Sequence, residues 1–340
     1  MAGQNPPACS ATSNCGGANP WGRYPVQAAS LGSGLYGYVT SAGGKYTGDI
    51  GDNPNTPAIE SAALASCMVL NNNFASFPGG AQFALDATTA HEFVHSIQFG
   101  YGDPGNLEDV MWYESSAAYM EDEVHDGSND NYQYLWPSFD VCLGEYSGEN
   151  DKPSVYSNWL FFRFAAEQLG GTNLAGGGEE VLQQFFVNVA AGQKGLRAYE
   201  NALISKGGSL PNVFHEYAIA SASIAACPLA GAKCYEGAAG YLNVAGAIQP
   251  HGQINLVGDE FQGALANHFA ANWISLPTSG AYSLDLANLS ARGELRATIV
   301  AATANGLVVK PFPELVRAGQ QSDIPAYQAP AGATSIMAVI

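Results

Sequence analysis

The chain has 340 residues, 47% of them hydrophobic and 12% charged, which is enough apolar content for a sizeable core and more length than one typical domain needs. Thirty acidic residues against 12 basic ones leave a net charge of −18, and that field excludes nucleic acid and anionic membrane surfaces as expected partners. There is no run of eighteen apolar residues, so no membrane span is predicted.

In chain order, residues 1–35 are rich in Pro, Gly, Ser and Asn and read as an extended arm. Tyr36 to Tyr46 is expected to form a short hairpin around Gly43-Gly44, and Ala65–Leu70 a strand ending at the turn-forming Asn71-Asn72-Asn73. An apolar helix follows, with Asp86 as expected N-cap, Thr88 and Thr89 behind it, and Gly100 and Gly102 as the stop. A second helix is expected over about 109–124 and a third from about Tyr156 to Leu169. Two or three more lie between Glu179 and Ile224, punctuated by Gly192, Gly207-Gly208 and Pro211.

Past Pro250 the pattern changes to short β-prone runs: Gln253–Val257, His268–Ile274, Ala281–Leu286, Glu294–Ala301, Leu307–Val309 and Ser335–Ile340. Their spacing suits an antiparallel β-sandwich. The fold class is therefore α+β, in three parts: a stapled arm over 1–35, a mixed domain with a small N-terminal sheet and a helical remainder over 36–248, and a β-sandwich over 249–340. Six cysteines form no CxxC pair. Of fifteen connectivities, Cys9 with Cys15, Cys227 with Cys234 and Cys67 with Cys142 is the preferred one, the alternative being six reduced thiols. Disulfides imply an extracellular protein. Because the N-terminus has no basic-then-apolar leader, a secreted protein would be represented here as its mature chain.

Residues 91–95 read His91-Glu92-Phe93-Val94-His95 within that first helix. Two imidazoles four residues apart are offset by only about 40° around a helix, so both can reach one ion, and imidazole nitrogen is a preferred Zn2+ ligand. Glu92 flanks the pair, where a carboxylate can take a proton from a metal-activated water. A catalytic zinc site needs a third protein donor. Glu114, nineteen residues beyond His95 in Met111-Trp112-Tyr113-Glu114, can face back from an antiparallel second helix, and Ser115, Ser116, Ala117 and Ala118 would let the two helices approach closely. Glu121 or Asp122, two turns on, is expected to bond a ligand histidine and set its tautomer, with Asp122 preferred. A third histidine six residues after the second is ruled out, since positions 98 and 101 are Gln98 and Tyr101.

The His-Glu-x-x-His helix with a downstream Glu resembles the gluzincins, the thermolysin-like zinc peptidases. More closely, the chain resembles secreted bacterial and archaeal proteins read as metalloproteases. They share Ile50-Gly51-Asp52-Asn53-Pro54, the Ala90–Phe99 helix, Trp112-Tyr113-Glu114, Tyr119-Met120-Glu121-Asp122 and Tyr156-Ser157-Asn158-Trp159. The resemblance covers roughly residues 50 to 170. It implies an endopeptidase acting on protein or peptide substrates, with Zn2+ on His91, His95 and Glu114 and Glu92 as general base. The implied oxyanion stabiliser is Tyr156, with His215 second, and Ser66–Leu70 is the implied edge strand for substrate backbone.

Two acidic stretches, Asp49–Asn55 and Asp126–Asn131, carry oxygen donors near glycine without the full calcium-loop spacing. Structural Ca2+ there stands beside simple turn formation. Two alternatives to the peptidase remain: a non-catalytic secreted module on a zincin scaffold, and a zinc hydrolase of non-peptide esters or amides. Oligomeric state, natural substrate and cleavage preference are not encoded in any motif.

Overall fold

A computed structural model describes residues 24, 26–40, 49–51, 63, 64, 66–102, 107–135, 143, 155–169, 179–224, 235, 237, 240, 241, 250–255, 259 and 269–340. Most of the arm, the tip of the expected 36–46 hairpin, most of Asp49–Asn55 and every cysteine but Cys67 lie outside them. Contacts divide the chain into two compact units, Met1–Leu210 and Pro211–Ile340, ahead of the compositional change near 245–252. The fold is mixed α and β, with antiparallel sheets in the second unit. Among the described residues no helix is long and apolar enough to cross a membrane.

In the first unit, β1 (Val26–Ala29), β5 (Cys67–Asn71) and β2 (Gly37–Thr40) form a sheet in the order β1-β5-β2. β1 runs parallel to β5 and β2 antiparallel to it. β3 (Asp49–Gly51) pairs with β4 (Ala63–Leu64) separately. The 66–70 segment is therefore a central strand with neighbours on both sides, not the expected edge. Its all-apolar Cys67-Met68-Val69-Leu70 run, buried throughout, is what such a position demands. Asn71 locks the β1–β2 connection by donating from Nδ2 to the carbonyls of Gly32 (2.7 Å) and Leu35 (2.8 Å).

Helix α1 spans Ala81–Phe99. It starts five residues before Asp86, because Gly79 and Gly80 hold positive φ (79° and 98°) that ends the preceding turn, and Ala81-Gln82-Phe83-Ala84 is already helix-competent. Asp86 instead sits inside the helix and accepts from Gln82 Nε2 at 2.7 Å. Gly100 closes it as expected. One side of α1 lies on the sheet so closely that a Cβ on Gly37 would stand 3.0 Å from Thr88 Cγ2. The other packs on α2 (Leu107–Val124), where Ser115, Ser116, Ala117 and Ala118 are fully buried. With neighbours on both sides, α1 buries polar His91, Glu92, Ser96 and Gln98 as well as Ala90, Val94 and Ile97.

A 3₁₀ turn (Asn129–Tyr134), α3 (Trp159–Leu169), α4 (Glu179–Ala190) and α5 (Gly195–Ser205) complete the described part of the unit. Fully buried Trp112 stacks on Tyr199 at 5.2 Å and meets Phe162 edge-on at 5.6 Å, with Phe185 alongside, so α2 is seated in an aromatic core shared with α3, α4 and α5.

The second unit opens with α6 (Leu210–Ala222). Sequence punctuation groups this helix with its predecessors, but its contacts are with strands: Trp273 Nε1 donates to the Ala218 carbonyl at 3.0 Å. Here β6 (Gly252–Gln253), β7 (Trp273–Ser275), β10 (Thr298–Thr303), β11 (Gly306–Pro311) and β14 (Ser335–Val339) form a five-stranded sheet in the order β11-β10-β14-β7-β6. β8 (Ala281–Ala287) pairs antiparallel with β13 (Gln321–Gln328), and β9 (Glu294–Leu295) with β12 (Val316–Arg317). Ile274, Ile299, Ala301 and Ile336 of the large sheet share one core with Ile324, Tyr327, Tyr282 and Leu284 of the β8–β13 ribbon. Four of the expected strand runs coincide with β8, β9–β10, β11 and β14. β12 and β13 were not anticipated, since Gln321–Gln328 contains Pro325 and alternates polar with apolar residues too weakly to read as a strand.

Candidate metal centre

His91 and His95 project from the side of α1 that faces α2, and Glu114 comes to meet them from α2. Their donor atoms form a nearly equilateral triangle: His91 Nε2 to His95 Nε2 is 3.1 Å, His91 Nε2 to Glu114 Oε2 is 3.1 Å, and His95 Nε2 to Glu114 Oε2 is 3.3 Å. Donors about 2.0–2.1 Å from a tetrahedral ion stand roughly 3.3 Å apart, so the triangle matches three corners of such a shell, with the fourth left for water or substrate. Among the described residues this is the group of three His, Cys, Asp or Glu side chains that could hold a metal ion.

Electrostatics at the three donors agree with that use. Burial works against the charge of Glu114, but His95 and His91 overcome it and hold the carboxyl far below its usual range, in the ionised state that a cation requires. Burial alone would lower His91 and His95. Glu114 raises both, and Glu121 raises His91 further. The two imidazoles and the carboxylate are thus electrostatically coupled, each favouring the charged form of the other.

Each imidazole is held by its second nitrogen. His91 Nδ1 lies 2.7 Å from Glu121 Oε1, and His95 Nδ1 lies 2.7 Å from Gln98 Oε1. With acceptors at both Nδ1 positions, both Nε2 lone pairs are directed into the triangle. Glu121, not Asp122, therefore fills the orienting role. Seven residues after Glu114 returns to within about 20° of its face, whereas eight falls about 80° away. Asp122 instead pairs with Arg163 Nη1 at 2.7 Å. Burial pushes Glu121 up to about 7, against the pull of His91.

Glu92 is 7% exposed and stands beside the triangle. Burial raises its pKa, opposed by the charges of His95 and His91 and by a backbone hydrogen bond from Val39 on β2. One of its oxygens, Oε2, is buried without a hydrogen-bond partner. Tyr156 also reaches the centre: its ring centroid is 5.8 Å from that of His91, and its hydroxyl bonds Glu114. Burial and then Glu114 keep that hydroxyl protonated far above neutral pH. Ser115 places the Tyr156 segment by donating to the Val155 carbonyl at 2.7 Å and accepting the Asn158 amide at 3.2 Å.

Three other features singled out in the sequence lie outside this donor set. His215 belongs to the second unit, where its Nε2 meets Thr298 Oγ1 at 2.7 Å. Burial, then Arg296, lowers it to about 4. The Asp126–Asn131 run enters the 3₁₀ turn, where Gln133 donates to Asp130 at 2.8 Å, and among the described residues it forms no second three-donor set. Cys67 is buried on β5, and its expected partner Cys142 lies outside the described residues. Gln98 and the Val39 amide went unassigned in the sequence. Gln98 was readable in principle, three residues after His95 on the same helix, whereas the Val39 contact joins a strand to a helix across fifty residues of chain. No family profile, curated protein or solved structure matches this chain.

Proposed function

We propose that the protein is a secreted zinc-dependent endopeptidase of the gluzincin kind, with a zincin-like catalytic unit followed by a β-sandwich. The observation carrying this reading is the three-donor triangle of His91, His95 and Glu114 next to a buried carboxylate, Glu92, that has one free oxygen. Two imidazoles and one carboxylate with an open fourth position is the donor set of hydrolytic zinc. When bound, Zn2+ supplies Lewis acidity that polarises a peptide carbonyl and brings the pKa of water to about 7.

The remaining chemistry belongs to the chain. Glu92 takes a proton from the attacking water at its free Oε2 while the Val39 amide steadies the carboxylate. As the water oxygen bonds to the carbonyl carbon and the C–N bond breaks, Glu92 returns that proton to the leaving amine. Its raised pKa suits a group that must hold the proton between those two moments. Tyr156 retains its hydroxyl hydrogen and turns it from Glu114 toward the carbonyl oxygen as negative charge develops there. Among the described residues β1 and β2 both end the sheet order, and β2, whose Val39 amide bonds Glu92, is the strand nearer the centre to take substrate backbone in place of 66–70.

Glu92→Gln tests the assignment. Zinc content by elemental analysis should be unchanged, and cleavage of casein or a quenched peptide should fall by about 10²–10⁴-fold. Turnover retained in that variant, or wild-type activity indifferent to chelator, would refute the proposal.

A further inference from the structure

Gln98 is fully buried and spends both ends of its amide on the metal centre. Its Oε1 faces His95 Nδ1 at 2.7 Å on its own helix. Its Nε2 crosses to α2, donating to the Tyr113 carbonyl at 3.1 Å and to Ser116 Oγ at 3.0 Å. These are the residues on either side of the Glu114-Ser115 pair. Ser116 is held in turn by donating to the Tyr113 carbonyl at 3.0 Å.

An amide is the side chain that can do both jobs at once. The acceptor end requires hydrogen on His95 Nδ1, which leaves Nε2 as the ligating lone pair. The donor end fixes the height of α2 against α1, and with it the separation of His95 and Glu114. Burying such a group is costly unless every bond is made, and here they are made.

We infer that Gln98 is the positioning residue of this site. It couples the tautomer and aim of His95 to the position of the helix that carries Glu114, so that the donor triangle is set before a metal arrives. The inference rests on the metal site of the proposed function but not on peptidase activity.

The test is metal affinity, measured by competition between the purified full chain and a chromophoric chelator for Zn2+, with the visible absorption of the Co2+ form as a second readout. Gln98→Met keeps the length and removes both bonds. It should weaken Zn2+ binding by about 10–100-fold and alter the tetrahedral Co2+ bands. Gln98→Glu keeps the acceptor facing His95 and loses donors toward Tyr113 and Ser116. It should weaken Zn2+ binding by several-fold, less than Gln98→Met does, while melting at lower temperature. A purely structural role predicts the reverse ranking, because methionine suits a buried site better than a carboxylate facing a carbonyl. If wild type binds Zn2+ stoichiometrically and Gln98→Met matches it, the inference fails and the metal site stands. If wild type binds no Zn2+, the metal reading fails first. Should Gln98→Met not fold, Ser116→Ala removes one anchor of the amide, and unchanged Zn2+ affinity together with unchanged Co2+ bands there overturns the coupling.

Discussion

The contact between α2 and α3 holds more negative than positive charge, and that imbalance makes stability depend on pH in a definite direction. Arg163 Nη1 is 2.7 Å from Asp122 and 2.6 Å from Glu123, and its Nε is 2.6 Å from Glu167. The four side chains are between 5% and 16% exposed. One guanidinium therefore faces three carboxylates, with buried Glu179 adding a fourth negative charge nearby. Burial, against the pull of Arg163, raises Glu123 from 4.5 to about 7, with Glu179, Asp122 and Glu167 adding to the rise. That rise is worth roughly 3 kcal/mol at full strength, and solvent contact of the carboxyl reduces it to about 1–2 kcal/mol.

Because the folded pKa lies above the unfolded one, the folded state binds the extra proton. Its stabilisation is complete below about pH 4.5 and is lost as pH rises through about 7. Glu123→Gln removes this titration and keeps an oxygen for Arg163. The stability of the variant relative to wild type should therefore climb by about 1–2 kcal/mol between pH 4.5 and pH 8, or roughly 2–8 °C in Tm for a unit of this size. Urea denaturation at fixed metal concentration across that range measures it. A stability difference that stays flat with pH, or slopes the other way, refutes the charge-imbalance argument. Function is implicated because α2 also carries Glu114 and Glu121.

Two further predictions concern the centre itself. Glu121→Gln should weaken metal binding by about 10–100-fold in chelator competition, because the acceptor of the His91 Nδ1 bond is weakened. Asp122→Asn should leave affinity unchanged and lower thermal stability instead, through its bond to Arg163; equal effects of the two on affinity would remove the distinction between them. Tyr156→Phe should lower kcat by about 10²-fold with KM and zinc content unchanged, as expected for a group that strengthens its bond only as charge develops. A KM effect alone would return Tyr156 to a packing role.

The metal-binding stripe was legible without coordinates because it is local. His91, Glu92 and His95 share one helix, and 100° per residue already puts the two imidazoles on one face. Glu114 was legible as well, since one short connection leads into an antiparallel helix and Ser115 through Ala118 are small enough to bring it close. What depended on longer paths was misread or missed. Ser66–Leu70 looks the same as an edge or a central strand until β1 and β2 are known to flank it. The His215 bond to Thr298 was equally invisible, since it joins residues 83 apart in the chain.

Taken alone, the amino-acid order determined which side chains could share an ion and which helices would carry them, since helical periodicity acts over a few residues and tolerates little ambiguity. Only the tertiary structure decided how those donors are held across elements: Glu121 of α2 on His91, Gln98 bridging to α2, and the Val39 amide on Glu92. Each of those contacts joins two elements and so depends on the rotation of one against the other. That rotation is set by the summed packing of Trp112, Phe162, Phe185 and Tyr199 and by the close seat of α1 on the sheet at Gly37, contacts spread over more than a hundred residues of chain.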